Sequence, residues 1–189
     1  MIRITNTLLW LTLIALVGTI IATAVSAGAV FSTLPKMHLH LDQYSAYPAN
    51  HHGLLAAGHV MDNVFAVVNP AVLVAAPLAC VLMILATILM NPLPGRLIRI
   101  FACLFLFAAA AVMLLYQIMN VPRMNQHLVA YRQAAAAGDI ETADAEHAEF
   151  TGLHNMTDMF FQASSGALTL AVVCWAFGSP AVKPQSHQH

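Results

Sequence analysis

The sequence predicts an all-α fold, an integral membrane four-helix bundle with polar extensions of helices 3 and 4. Three observations carry this. Of 189 residues, 60% are hydrophobic and 8% charged, where soluble domains carry about 25% charged residues. Four apolar stretches, 8–31, 64–90, 97–119 and 159–178, are each long enough, at about 1.5 Å per residue, to cross roughly 30 Å of hydrocarbon as a helix. All eight acidic residues, and every histidine except His187 and His189, fall in the two segments that join stretch 1 to 2 and stretch 3 to 4. With alternating crossings both segments emerge on one side. The alternating segments of about 10 residues that a membrane β-barrel needs are absent from the sequence.

The elements follow in order. Helix 1 is expected at about 7–32, ended by Ser32, Thr33 and Pro35. Gly18, Ala22 and Ser26, four apart, form a small-residue stripe that admits a neighbouring helix. Arg3, the apolar core and Val25-Ser26-Ala27 resemble a signal peptide, but the core exceeds the roughly 7–15 residues of a signal h-region, so an uncleaved helix is the expectation. Segment 33–58 reads as an outer loop in which Tyr44 and Tyr47 suit an interface and Gly53 and Gly58 mark bends. Helix 2 is expected at about 59–90, kinked near Asn69 because Pro70 and Pro77 remove backbone donors. Asn91, Pro92, Pro94 and Gly95 force a turn into helix 3 at 97–119. In 120–156 a polar helical hairpin is expected: Pro122 suits a first turn, Gly138 a helix end and Asp139 the next cap. Its alanines offer little apolar anchorage, which predicts a mobile tip. Helix 4 is expected at 157–178, closing a single domain of residues 1–178; 179–189 reads as a disordered tail.

Lys and Arg near the helix ends orient the chain. Arg3, Arg96, Arg99 and Lys183 lie on one side against Lys36, Arg123 and Arg132 on the other. This places both termini in the cytoplasm and the protein in the cell inner (plasma) membrane. Cys80, Cys103 and Cys174 all lie in apolar stretches, without CxxC spacing, and read as small buried hydrophobes.

Polar side chains within the spans gather in the outer half: Asn69, Gln117, Asn120 and Gln162, with Arg123 just beyond. Polar groups in lipid are costly and turn inward, which predicts an outward-facing polar cavity; interhelical hydrogen bonding is the alternative use. His154 and Asp158 are four apart on one helix face, and His59, Asp62 and Asn63 form a similar group entering helix 2. Imidazole and carboxylate ligate Zn, Cu or Fe ions, so His59, Asp62, His154 and Asp158 are candidate metal ligands. Loop residues His38 and His40 are weaker candidates; the bland alternatives are helix capping and interface hydrogen bonds for the membrane-entry residues and ordinary solvated imidazoles for the loop. Haem is disfavoured because no histidine lies deep in a span. No nucleophile elbow, P-loop or GxGxxG is present. Seven Lys and Arg on both sides give no nucleic-acid footprint.

Several pieces in order, Ala27-Gly28-Ala29-Val30-Phe31-Ser32-Thr33-Leu34-Pro35, Ala56-Ala57-Gly58-His59-Val60-Met61-Asp62-Asn63-Val64-Phe65, Asn120-Val121-Pro122-Arg123 and Phe150-Thr151-Gly152-Leu153-His154-Asn155, resemble the transmembrane protein 205-like family of four-helix membrane proteins. The resemblance implies matched positions at Gly58, Pro122, Arg123 and His154, and pairing of Arg123 with Asp62 or Asp158 is the expected consequence. The family has no established reaction. A family of anthrone oxygenase-like membrane enzymes is similar in architecture.

The functional expectation is therefore binding, or help in moving, a metal ion or small ligand in the outward cavity, with a binding role favoured over an enzymatic one and the enzyme question left open. The bilayer is its first partner, with self-association or a larger membrane complex beyond it. The alternatives are a non-catalytic accessory subunit of such a complex and an anthrone oxygenase-like enzyme.

Overall fold

The computed structural model describes residues 1–90 and 94–179. The described residues form five helices and three short 3₁₀ turns: α1 (Ile2–Thr33), 3₁₀ turns at Leu34–Met37, Asp42–Tyr44 and Ala49–His51, α2 (His52–Leu89), α3 (Arg96–Leu115), α4 (Val121–Ala137) and α5 (Ile140–Gly178). A single π-helical turn, Tyr116–Asn120, joins α3 to α4, so the two form one rod, and α5 returns beside it. The all-α bundle expected from the sequence is what the chain forms. It holds four helical rods long and apolar enough to cross a membrane. The Asn91–Pro92–Leu93 part of the turn and the tail beyond Ser179 lie outside the described residues.

The helix ends follow local chemistry. The Gly138 backbone is left-handed at φ 74°, a conformation open to glycine because it has no Cβ. Its N–H closes α4, as a helix-terminating glycine does, and α5 starts directly afterward. There the Asp139 carboxylate accepts the Thr142 N–H at 3.1 Å, the N-cap bond its position predicts. The Thr142 side chain, and then this backbone bond, hold the Asp139 carboxyl below its usual range. α2 starts at His52, seven residues before the expected start, and runs through Gly53 and Gly58. Pro70 and Pro77 lie inside it without ending it.

Two cores hold the bundle. The larger, at the end that carries the N-terminus, packs Leu9, Leu13 and Leu16 of α1 against Val72, Ala79 and Met83 of α2, Ala102 and Leu106 of α3, and Leu168, Ala171 and Trp175 of α5. Alanine at the crossings lets the backbones approach closely. The Trp175 indole N–H donates to Asn6 Oδ1 at 3.1 Å, tying α5 to α1. Arg99 is completely buried and donates to the carbonyls of Pro94 at 2.7 Å, Gly178 at 2.8 Å and Met90 at 2.7 Å. Two of these are orphan carbonyls at or beside the C-terminal ends of α2 and α5, where a cation also complements the helix dipole. The guanidinium therefore seals this end of the bundle.

The second core overturns two expectations. Tyr44 and Tyr47 are not interfacial rings with wet hydroxyls; they are 1% and 3% exposed. They pack with Leu55, Tyr131, Ala134, Ala135 and Ala143. The hairpin tip is thus anchored, because its alanines supply the flat surface on which the tyrosines of the 33–51 segment sit. Burial raises the Tyr44 hydroxyl above the ordinary tyrosine range; burial, and then the bond to Asp144, raise that of Tyr47. The small-residue stripe on α1 is also not a packing seam within the chain. Nothing lies within 4 Å of where a Cβ on Gly18 would be, and Ala22 is exposed.

Candidate functional site

α1 packs along α2, and α3 along α5, while α1 and α5 touch only sparsely. The sparse contact lies at the N-terminal end of α1, through Asn6 and Trp175. Beyond it the two helix pairs diverge and enclose a cavity of about 870 Å³. Four rods line it: Thr19, Thr23, Ala27 and Phe31 from α1; Asp62, Phe65, Asn69 and Val72 from α2; Met113, Tyr116, Gln117 and Arg132 from the α3–α4 rod; Phe150, His154, Thr157, Asp158 and Phe161 from α5.

The lining is graded. Ile20, Val72 and Met113 lie toward the larger core, Asp62 and Arg132 lie toward the hairpin, and Asn69, Gln117, His154, Asp158 and Phe161 lie between them. From Gly58 to Val72 on α2 is about 20 Å of helix at 1.5 Å per residue. Most of the wall is apolar, with a few polar groups set into it, which is how small-molecule sites are built. The π-helical turn places Tyr116 and Gln117 on this wall, and such turns often accompany functional sites.

The polar end is built from short contacts. The Arg132 Nη1 donates to Asp62 Oδ2 as an ion pair, the arginine side chain 16% and the aspartate 44% exposed. Arg132 Nε and Nη2 are buried without a hydrogen-bond partner among the described residues. A Cβ on Gly58 would lie 3.3 Å from Nη2, so glycine there makes room for the guanidinium. Beside this pair the Tyr44 hydroxyl and His59 Nε2 share a hydrogen bond of 3.0 Å, and the Tyr47 hydroxyl donates to Asp144 at 2.9 Å. His52 is buried. Its Nδ1 accepts the Leu41 N–H at 3.0 Å, and its Nε2 donates to the Tyr47 carbonyl at 3.1 Å. It pins the loop onto α2. His127 and Glu146 join α4 to α5 at 2.7 Å, and the Tyr131 ring lies 4.9 Å from that of His147.

Of the candidate residues, Asn69, Gln117, Asp62, His154 and Asp158 line the cavity. Asn120 is buried behind the wall, its Nδ2 donating to the Leu153 carbonyl at 3.2 Å and to Thr157 Oγ1 at 3.0 Å; it fastens the π-helical turn to α5. Arg123 and Gln162 are exposed and outside the lining. Asp62 pairs with Arg132 in place of Arg123, because nine further residues of α4 carry Arg132 up to the start of α2. His59 faces Tyr44. His38 and His40 are exposed in the loop, His40 lying 3.5 Å from Asp42. Among the described residues no three His, Cys, Asp or Glu side chains converge as a metal site would require.

The sequence reading missed Arg132, Tyr116, Thr157 and the α1 wall. Thr19, Thr23 and Ala27 are four apart, a spacing that marks one helix face. Threonine drew no notice because its hydroxyl is satisfied within the helix, as Thr23 is by the Thr19 carbonyl at 2.8 Å. Compared with protein-family models, with curated proteins and with solved structures, the chain matches none, so the reading of this site rests on its own geometry.

Proposed function

We propose that this chain is a non-catalytic inner-membrane protein whose cavity binds a small amphipathic ligand, its apolar body between the splayed helix pairs and its head on the charged part of the wall, where Asp158 and, further along, the Asp62–Arg132 pair lie. The single supporting observation is the graded cavity: about 870 Å³, within the roughly 300–1,000 Å³ typical of ligand pockets, apolar toward the larger core and charged further along the wall. A bare metal ion needs converging ligands rather than a long apolar wall, and it is the lesser reading.

In this reading the outward surfaces meet lipid. Leu11, Ile14, Ile21, Val67, Val74, Ile88, Leu104 and Phe107 are all exposed, as apolar side chains are when lipid replaces water. Both termini are cytoplasmic. Exposed Arg3 and Arg96 support this, whereas the charge of Arg132 is taken up by Asp62. The sparse α1–α5 contact leaves a lateral way from the bilayer into the cavity.

The test is mass spectrometry of protein purified without a metal-affinity resin, with elemental analysis of the same sample. The expected result is a retained small amphiphile that Ala27→Trp, which fills the α1 wall, displaces while the thermal midpoint holds. Stoichiometric metal with no organic ligand would reject the proposal.

A further inference from the structure

We infer that the head group this cavity accepts is cationic, an amine or quaternary ammonium carried on a long apolar chain. The inference rests on the amphiphile-binding reading above and adds the charge of the ligand.

Three formally charged side chains line the cavity: Asp62, Arg132 and Asp158. The first two neutralise each other. Arg132 offers an anionic head nothing further: Nη1 is engaged by Asp62, and Nε and Nη2 have no exposed surface. Nη2 is packed against Gly58. Asp158 is exposed on the cavity wall, and no described residue forms an ion pair or hydrogen bond with it. The remaining formal charge is therefore one carboxylate.

Aromatic side chains flank Asp158 along α5. Phe161 follows it by three residues and His154 precedes it by four, on the same face of α5. The His154 ring stacks on Phe150 at 5.8 Å, and Phe160 lies 6.0 Å from Tyr116. Ring faces attract a cation within about 6 Å, more strongly where water is thinned. A carboxylate with aromatic neighbours favours an ammonium by charge, gains only a hydrogen bond from a neutral hydroxyl and repels a carboxylate. The gap between α1 and α5 admits the chain, and between Ile20 and Phe31 the α1 wall consists of small side chains, Thr23, Ala24 and Ala27.

The test uses the full chain in phosphatidylcholine nanodiscs and three probes with the same twelve-carbon chain: dodecyltrimethylammonium, dodecanol and laurate. Binding is measured by equilibrium dialysis against empty nanodiscs. The ammonium probe is expected to bind about tenfold more tightly than laurate at low salt, the preference shrinking as salt screens the carboxylate. Asp158→Asn should remove most of that preference and Asp158→Glu should keep it. Laurate binding as tightly as the ammonium probe, or a preference unchanged in Asp158→Asn, overturns the inference. If all three probes bind alike and Ala27→Trp abolishes all three, the head-group inference fails while the cavity reading stands; if none binds saturably, both fail.

Discussion

The Asp62–Arg132 pair predicts an unequal response to its two single substitutions. The guanidinium side chain is 16% exposed and the carboxylate 44%. Asp62→Asn leaves a nearly buried cation whose Nε and Nη2 already lack partners. Breaking a fully buried pair costs about 3–5 kcal/mol, and an exposed pair contributes about 0.2–1 kcal/mol. The stranded arginine sits nearer the first limit, and a loss of about 2 kcal/mol is expected. Arg132→Met leaves a carboxylate that water still reaches, and its methionine keeps much of the arginine stem's packing, so the loss should be about 1 kcal/mol. The double variant Asp62→Asn with Arg132→Met should be more stable than Asp62→Asn alone, because the stranded charge is gone. The assay is a double-mutant cycle on unfolding in mixed micelles. Equal losses, or a double variant at the sum of the single ones, would refute the claim that asymmetry of burial governs this pair.

Other predictions concern the two cores and the turn. Arg99→Ala should lower the thermal midpoint more than any other single arginine replacement, because it leaves several carbonyls at the helix ends without their donor, each costing about 1–3 kcal/mol when buried. Arg99→Lys should recover part of that, since one ammonium cannot span the same fork. The Tyr47 hydroxyl is held protonated in the fold, so its contribution is complete below the ordinary tyrosine range and is lost as pH rises above it. Tyr47→Phe should flatten that alkaline loss in a pH-dependent melting series, at a cost near neutrality of about 1 kcal/mol for the bond to Asp144. The Asp139 carboxyl is held ionised, so its cap contributes above the ordinary carboxylate range and fades as pH falls through the lowered value. Asp139→Ala should remove that acid dependence from amide exchange at the start of α5.

The fold was largely legible because its signals are local. Span length identifies four rods without knowledge of their neighbours, and Gly138-Asp139 marks the hairpin turn by backbone chemistry alone. What was not legible depends on tertiary partners. Gly53 and Gly58 read as bends on propensity, yet both lie inside α2, where the fold makes use of the missing side chain at Gly58. Tyr44 and Tyr47 carry interface chemistry, and only the alanine face of the α4–α5 hairpin makes them core residues. Arg123 and Arg132 are equivalent suitors for Asp62 by charge; the pitch of α4 decides for Arg132. The polar clusters were visible in the sequence, but their division between wall and scaffold was not. Asn120 and Asp158 look alike as polar residues near a span end, and one ends up as a fastener and the other on the cavity wall.

The gathering of carboxylates and imidazoles at one exposed end of the bundle is tested most directly by sided cysteine labelling in a variant lacking Cys80, Cys103 and Cys174. Ser45→Cys and Ile140→Cys should both react with a membrane-impermeant maleimide added from one and the same side, and Arg96→Cys should react only after the membrane is opened. Labelling of positions 45 and 140 from opposite sides would contradict the shared polar face and, with it, the cavity built there.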